Sequence, residues 1–162
     1  MGKLESLQSF KLIYAPRDNR VCVRLNSVQS TLTKISLTYY NFDWDHFKAL
    51  ARLPNVRVLK LKSMVSWEQA DEHTVIEGDF PQLEVLKIRG TSIRTFRMEK
   101  YAMPNLQRLI IRRNDTLICL PDELWSITTL QLVEVSEVSY ALRITLGDFK
   151  MTYSGACNII IN

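Results

Sequence analysis

The reactive and ligating side chains of this sequence fall into three groups. His46 sits in DWDH beside Asp43 and Asp45, and His73 sits in DEHTVIEGD beside Asp71 and Glu72. Both groups hold nitrogen and oxygen donors, but neither spacing matches a metal-binding motif. The first reads as the solvated start of a short helix and the second as part of a loop. The three cysteines, Cys22, Cys119 and Cys157, are odd in number and widely spaced. They form no C-x-x-C pair and no disulfide framework, so reduced thiols are expected, with Cys119 packed as an inert core residue in LICLP. No serine or cysteine has a recognisable base partner. No G-x-x-x-x-G-K-[ST] loop is present, and five glycines leave little for phosphate cradles. No catalytic residue, metal or cofactor is assigned, and the chain reads as a binding module. The third group is cationic: Arg108, Arg112 and Arg113 crowd into PNLQRLIIRRNDTLICLPDEL.

Those arginines are positioned by an internal repeat. Taking Leu109 as an anchor, apolar residues stand three before it and two after it. The same frame fits Leu7, Phe10, Leu12; Leu32, Ile35, Leu37; Val56, Leu59, Leu61; Leu83, Leu86, Ile88; and Leu130, Val133, Val135. The anchors Phe10, Ile35, Leu59, Leu86, Leu109 and Val133 are 23 to 27 residues apart. LPNVRVLKL, FPQLEVLKI and MPNLQRLII are versions of one phrase. A period of ~20–29 residues with L-x-x-L-x-L spacing is the leucine-rich repeat. Each copy supplies a short strand with the anchor and anchor+2 inward, and stacked copies share a core that one copy alone cannot bury. The expected fold is an α/β solenoid: a horseshoe of six to seven degenerate repeats with a parallel concave sheet and an irregular or short-helical convex arc.

Details vary between copies. Asn114 occupies the turn after its strand and should satisfy backbone groups there; Ala15, Tyr40, Met64, Thr91 and Val138 stand at the equivalent positions. NFDWDHFKAL predicts a short helix with Phe47 and Leu50 inward and Asn41 or Asp43 as cap. Leu117, Leu120, Leu124 and Ile127 should line the arc. The longest repeat predicts a bulging loop near Trp67 to Gly78. From Ser136 the pattern blurs. Either ACNIII supplies a seventh strand, with Ile159 and Ile161 inward, or LGDFKM closes the sheet and a tail follows. Residues 1–162 thus form one repeat domain whose part 136–162 is a degenerate repeat, cap or tail. With no polar cap before Leu4, a piece of a longer protein is expected.

Alternation along each strand turns anchor−1, anchor+1 and anchor+3 outward. These are Ser9, Lys11, Ile13; Lys34, Ser36, Thr38; Val58, Lys60, Lys62; Val85, Lys87, Arg89; Arg108, Ile110, Arg112; and Leu132, Glu134, Ser136. Eight are basic and one is acidic. The whole chain has 21 basic and 17 acidic residues and a net charge of +4. The remainder is therefore net acidic, and a modest total conceals a polarised molecule. Lys11, Lys34, Lys60, Lys62, Lys87, Arg89, Arg108 and Arg112 form the candidate partner-binding strip. Their side chains are expected to be solvated, with Val58, Val85, Ile110 and Leu132 adding apolar contact area. Lysines also keep exposed strands soluble, but eight to one exceeds that need. The strip lacks interleaved aromatics, so no nucleic-acid partner is expected.

No stretch reaches the ~18 apolar residues of a membrane span. MGKLES has the form of an N-myristoylation site at Gly2, yet Leu4 already belongs to the repeat, and a single acyl chain would hold a membrane only weakly. A membrane partner is not expected.

LPNVRVLKLKSM, EGDFPQLEVLKI with the Trp67 insert before it, and LPDELWSITTLQLVEV together resemble the C-terminal leucine-rich repeats of plant intracellular immune receptors. These are the nucleotide-binding leucine-rich-repeat (NLR) disease-resistance proteins with an N-terminal coiled coil. The resemblance is good over about residues 50–138 and looser over 1–49, and SGACNIIIN has no counterpart. It implies a cytoplasmic, non-enzymatic domain that recognises a pathogen effector or a host target, or that holds the receptor's own nucleotide-binding domain inactive. It carries over no fixed site residues, because contact positions vary between members. The alternative is the substrate-binding repeat domain of a ubiquitin-ligase adaptor.

Overall fold

The computed structural model describes residues 8–13, 31–39, 44–63, 74–153 and 155–162. Seven strands form one parallel sheet: β1 (Ser9–Ile13), β2 (Lys34–Tyr39), β3 (Val58–Ser63), β5 (Val85–Arg89), β7 (Arg108–Asn114), β8 (Leu132–Val138) and β9 (Asn158–Ile161). They lie in chain order. The short β4 (Thr74–Val75) and β6 (Arg97–Met98) pair separately.

The sequence repeat sets the register. Phe10 pairs with Ile35, Ile35 with Leu59, Leu59 with Leu86, Leu86 with Leu109, and Leu109 with Val133. The series continues to Ile159, so the seventh strand is formed. Backbone bonds recur with the same period. The carbonyls of Gln8, Thr33, Arg57, Glu84 and Gln107, each two residues before an anchor, accept from two successive amides of the next repeat. A one-residue slip in any strand would expose its buried leucines, so burial and hydrogen bonding agree on one register.

Ile35, Leu37, Leu59, Leu61, Leu86, Ile88, Leu109, Ile111, Val133 and Val135 are all buried, as the anchor frame requires. So are Leu32, Val56, Leu83, Leu106 and Leu130, three residues earlier. Opposite the sheet, helix α1 (Trp44–Ala51) turns Phe47 and Leu50 inward, and Phe47 packs on Phe80 with ring centroids 5.0 Å apart. Leu117, Leu120 and Leu124 are buried on the same side, with Ile127 packed against them. The cap expected at Asn41 or Asp43 lies outside the described residues.

Three expectations are corrected. Cys119 is exposed, not core: Leu117 and Leu120 take the inward positions on either side of the outward Ile118–Cys119 pair. LGDFKM does not close the sheet. It belongs to helix α2 (Tyr140–Thr152), which buries Leu142 and Leu146. Only part of the long insert is described, and there Thr74–Val75 form β4 instead of a bulging loop. Val75 is fully buried, and its carbonyl accepts from Glu99 N at 2.7 Å.

The turn after the strands has a shared backbone requirement. Gly90, Arg113 and Glu137 all stand four residues after an anchor, and all have positive φ (64°, 55° and 53°). Such values favour glycine, so two of the three copies hold a charged residue in a strained conformation. The Asn114 side chain closes the next step. Its Oδ1 accepts from Thr116 N (3.1 Å) and Leu117 N (2.9 Å), and its Nδ2 donates to Thr91 Oγ1 (3.3 Å) in the neighbouring repeat. Ser139 N donates to the Asn114 carbonyl, and the Ser139 hydroxyl both accepts from Leu142 N, capping α2, and donates to the Leu117 carbonyl. No helix among the described residues is long and apolar enough to cross a membrane.

Candidate functional site

Period-two alternation puts all eight cations of the strip on the face of the sheet away from the core. Register then aligns them in rows. One row runs Thr38, Lys62, Arg89, Arg112, Ser136, and the next runs Lys11, Ser36, Lys60, Lys87, Ile110, Glu134. A third holds Lys34, Val58, Val85, Arg108 and Leu132. This face is hollow. An open groove of about 530 Å³ is lined by Lys11, Lys34, Lys60, Lys62, Lys87, Arg89 and Arg112, with Ser36, Thr38 and Ile110 among its floor residues. Arg108 is exposed but is not part of the groove lining.

The cations act on one another. The Lys87 ammonium is held below its ordinary pKa, first by desolvation and then by Lys60, Arg108 and Arg112; Glu134 opposes the shift. An anion in the groove would relieve that repulsion, and none of Lys60, Lys62, Lys87 and Arg89 has an ion-pair partner among the described residues.

The strip is not uniformly solvated. Arg112 Nη2 is 2.6 Å from Glu134 Oε1, and the glutamate side chain is only 16% exposed. Lys87 is half-buried between its neighbours. Ile110 is 5% exposed, so it forms floor and offers almost no contact area. Val58, Val85 and Leu132 are half-buried. The Arg112–Glu134 pair joins anchor+3 of one repeat to anchor+1 of the next, a diagonal contact legible only once the repeats are aligned. A second pair, Arg113 Nε to Glu137 Oε2 at 3.0 Å, lies at the sheet rim where the positive-φ turn turns both outward.

Of the remaining chemistry-bearing residues, Cys157 is half-buried and desolvation raises its pKa, whereas Cys119 is open to solvent. Asp43, Asp71, Glu72, His73, Cys22, Trp67 and the MGKLES segment lie outside the described residues, as do the side chains of Asp45 and His46.

No family model matches the chain. Among curated proteins it is 34% identical over 90 residues to a late blight resistance protein homolog of Solanum demissum, an alignment covering 56% of this chain and 7% of that protein. It is 32% identical over 105 residues to the homolog R1B-23 of the same plant, covering 64% and 8%. It is 27% identical over 134 residues to the homolog R1B-16, again of Solanum demissum, covering 80% and 10%. The chain is similar to these resistance-protein homologs, which supports an NLR-related leucine-rich-repeat region. It spans a tenth or less of the length of these relatives.

Proposed function

We propose that this chain is a leucine-rich-repeat solenoid from a cytoplasmic plant disease-resistance receptor, and that its basic sheet face binds an acidic protein surface. The partner is a pathogen effector, a host target, or the receptor's own nucleotide-binding domain. The observation that carries the reading is the alignment of Lys60, Lys62, Lys87, Arg89 and Arg112 on three neighbouring strands around one groove, on a molecule whose remainder is net acidic. Strands about 4.8 Å apart let the fields of these groups add. Complementary charge raises the association rate and fixes the docked register. The groups need no chemistry beyond binding, and the relatives' names as resistance proteins support a receptor role.

Lys60→Glu, Lys87→Glu and Arg89→Glu combined, in the full receptor, tests the reading. Arg112 is left intact because reversing it would set a carboxylate against the largely buried Glu134. The triple variant should keep its melting temperature and either lose the effector response or become active without a pathogen. A folded triple variant that stays silent alone and answers its effector normally would refute it.

A further inference from the structure

The groove's dimensions restrict what can lie in it. Two rows of cations run across the strands, one through Lys62, Arg89 and Arg112 on β3, β5 and β7, and one through Lys60 and Lys87 on β3 and β5, which meets Ile110 on β7. We propose that the groove receives an acidic α-helix laid across the strands, with carboxylates repeating about once per helical turn. The inference rests on the basic-face reading above and specifies its partner.

The spacing favours a helix over an extended chain. Neighbouring strands are about 4.8 Å apart, so each row offers a cation at about that interval. A helix advances 5.4 Å per turn. Over two strand steps the mismatch is about 1.2 Å, which lysine and arginine side chains absorb. An extended chain running the same way presents alternate side chains about 6.7 Å apart, so it is almost 4 Å out of step by the third cation. A chain running along a strand would match the spacing from Lys60 to Lys62 but would meet only two cations. The outward face of each strand is also long enough for a helix to lie across it. From anchor−1 to anchor+3 the outward positions span about 13 Å, close to the roughly 10–12 Å diameter of a helix with side chains.

The charge pattern gives the ligand a boundary. The field ends at β8, where Leu132, Glu134 and Ser136 face outward, and Glu134 repels any further carboxylate. The acidic stretch therefore lies over β3 to β7, about two turns long, and a neutral or apolar stretch follows over β8. A peptide carboxylate suits the site better than a nucleic-acid phosphate because no outward position on these strands offers an aromatic ring for base stacking.

The test uses the 162-residue chain and three labelled probes: two peptides of about 18 residues and identical composition, and a single-stranded oligonucleotide of similar charge. One peptide places Glu at i, i+4, i+7 and i+11 on a single helical face; the other distributes the same residues around the helix. Fluorescence anisotropy at two salt concentrations gives affinities, and circular dichroism follows peptide helicity on binding. The single-face peptide should bind about tenfold tighter or more and gain helicity, and the Lys60, Lys87, Arg89 charge reversal should remove that preference. Equal affinity for the two peptides would overturn the helix inference and leave the acidic-partner reading standing. No binding of either peptide by the folded chain, even at low salt, would overturn both. Tighter binding of the oligonucleotide than of either peptide would overturn both in favour of a nucleic-acid surface.

Discussion

Replacing Asn114 with alanine should be among the most damaging single polar changes in this fold. The side chain is fully buried, and its Oδ1 is the acceptor for two backbone amides, Thr116 N and Leu117 N. Leu117 is itself buried, so its amide cannot turn to water once Oδ1 is gone. Leaving a buried donor unpaired costs about 1–3 kcal/mol. Thr116 is half-buried, and water can partly replace its bond, so its share is near the lower end. The Thr91 hydroxyl loses the Nδ2 donor but keeps its own proton free to find another acceptor. The sum is about 2–4 kcal/mol. At about 2–4 °C per kcal/mol for a chain of this size, the melting temperature should fall by roughly 5–15 °C. Urea melts of wild type, Asn114→Ala and Asn114→Asp measure it, since Asp keeps both acceptor contacts and should lose less than Ala. A loss under about 0.5 kcal/mol for Asn114→Ala, at unchanged m-value, would refute the idea that this side chain closes the turn.

Leu86→Ala should cost about 2–5 kcal/mol because Leu86 is wholly buried in the middle of the sheet, whereas Lys87→Ala should cost under ~0.5 kcal/mol; denaturant melts that reverse the order would refute the inward and outward assignment. Because the folded-state pKa of Lys87 lies below its ordinary 10.5, the unfolded chain binds that proton more tightly, and the charged lysine weakens the fold at neutral pH. Lys87→Gln should therefore stabilise slightly at pH 7, and the gain should fade as pH rises through the lowered value toward 10.5, which melts across that range would reveal. Cys119 should be alkylated readily in the native chain and Cys157 only slowly, since the first is exposed and the second is half-buried with a raised pKa; peptide mass spectrometry after a timed iodoacetamide pulse would show equal labelling if this were wrong.

The first six strands of the main sheet, their register and the polarity of the sheet follow from the repeat alone. A period near 24 residues with apolar anchor, anchor−3 and anchor+2 leaves one arrangement that buries every anchor, and alternation then turns eight cations outward. Asn114 was readable for a related reason: a short amide at a strand end has few roles other than satisfying turn amides. Local pattern could not decide the fate of Cys119, because LICLP is apolar throughout and only packing against the core chooses which members are buried. Nor could it choose between a seventh strand and a closing LGDFKM. That depended on α2 burying Leu142 and Leu146, which brings residues 158–161 back to the sheet edge. Tertiary contact also decided how free each cation is. Arg112 and Lys87 are both outward cations of the repeat, yet Arg112 is held by a glutamate 22 residues away. Lys87 is half-buried among cations, with no ion-pair partner among the described residues. Periodicity fixes which way a side chain points. The electrostatic state of that side chain depends on neighbours from other repeats, and those are set by the register and by the depth of the groove.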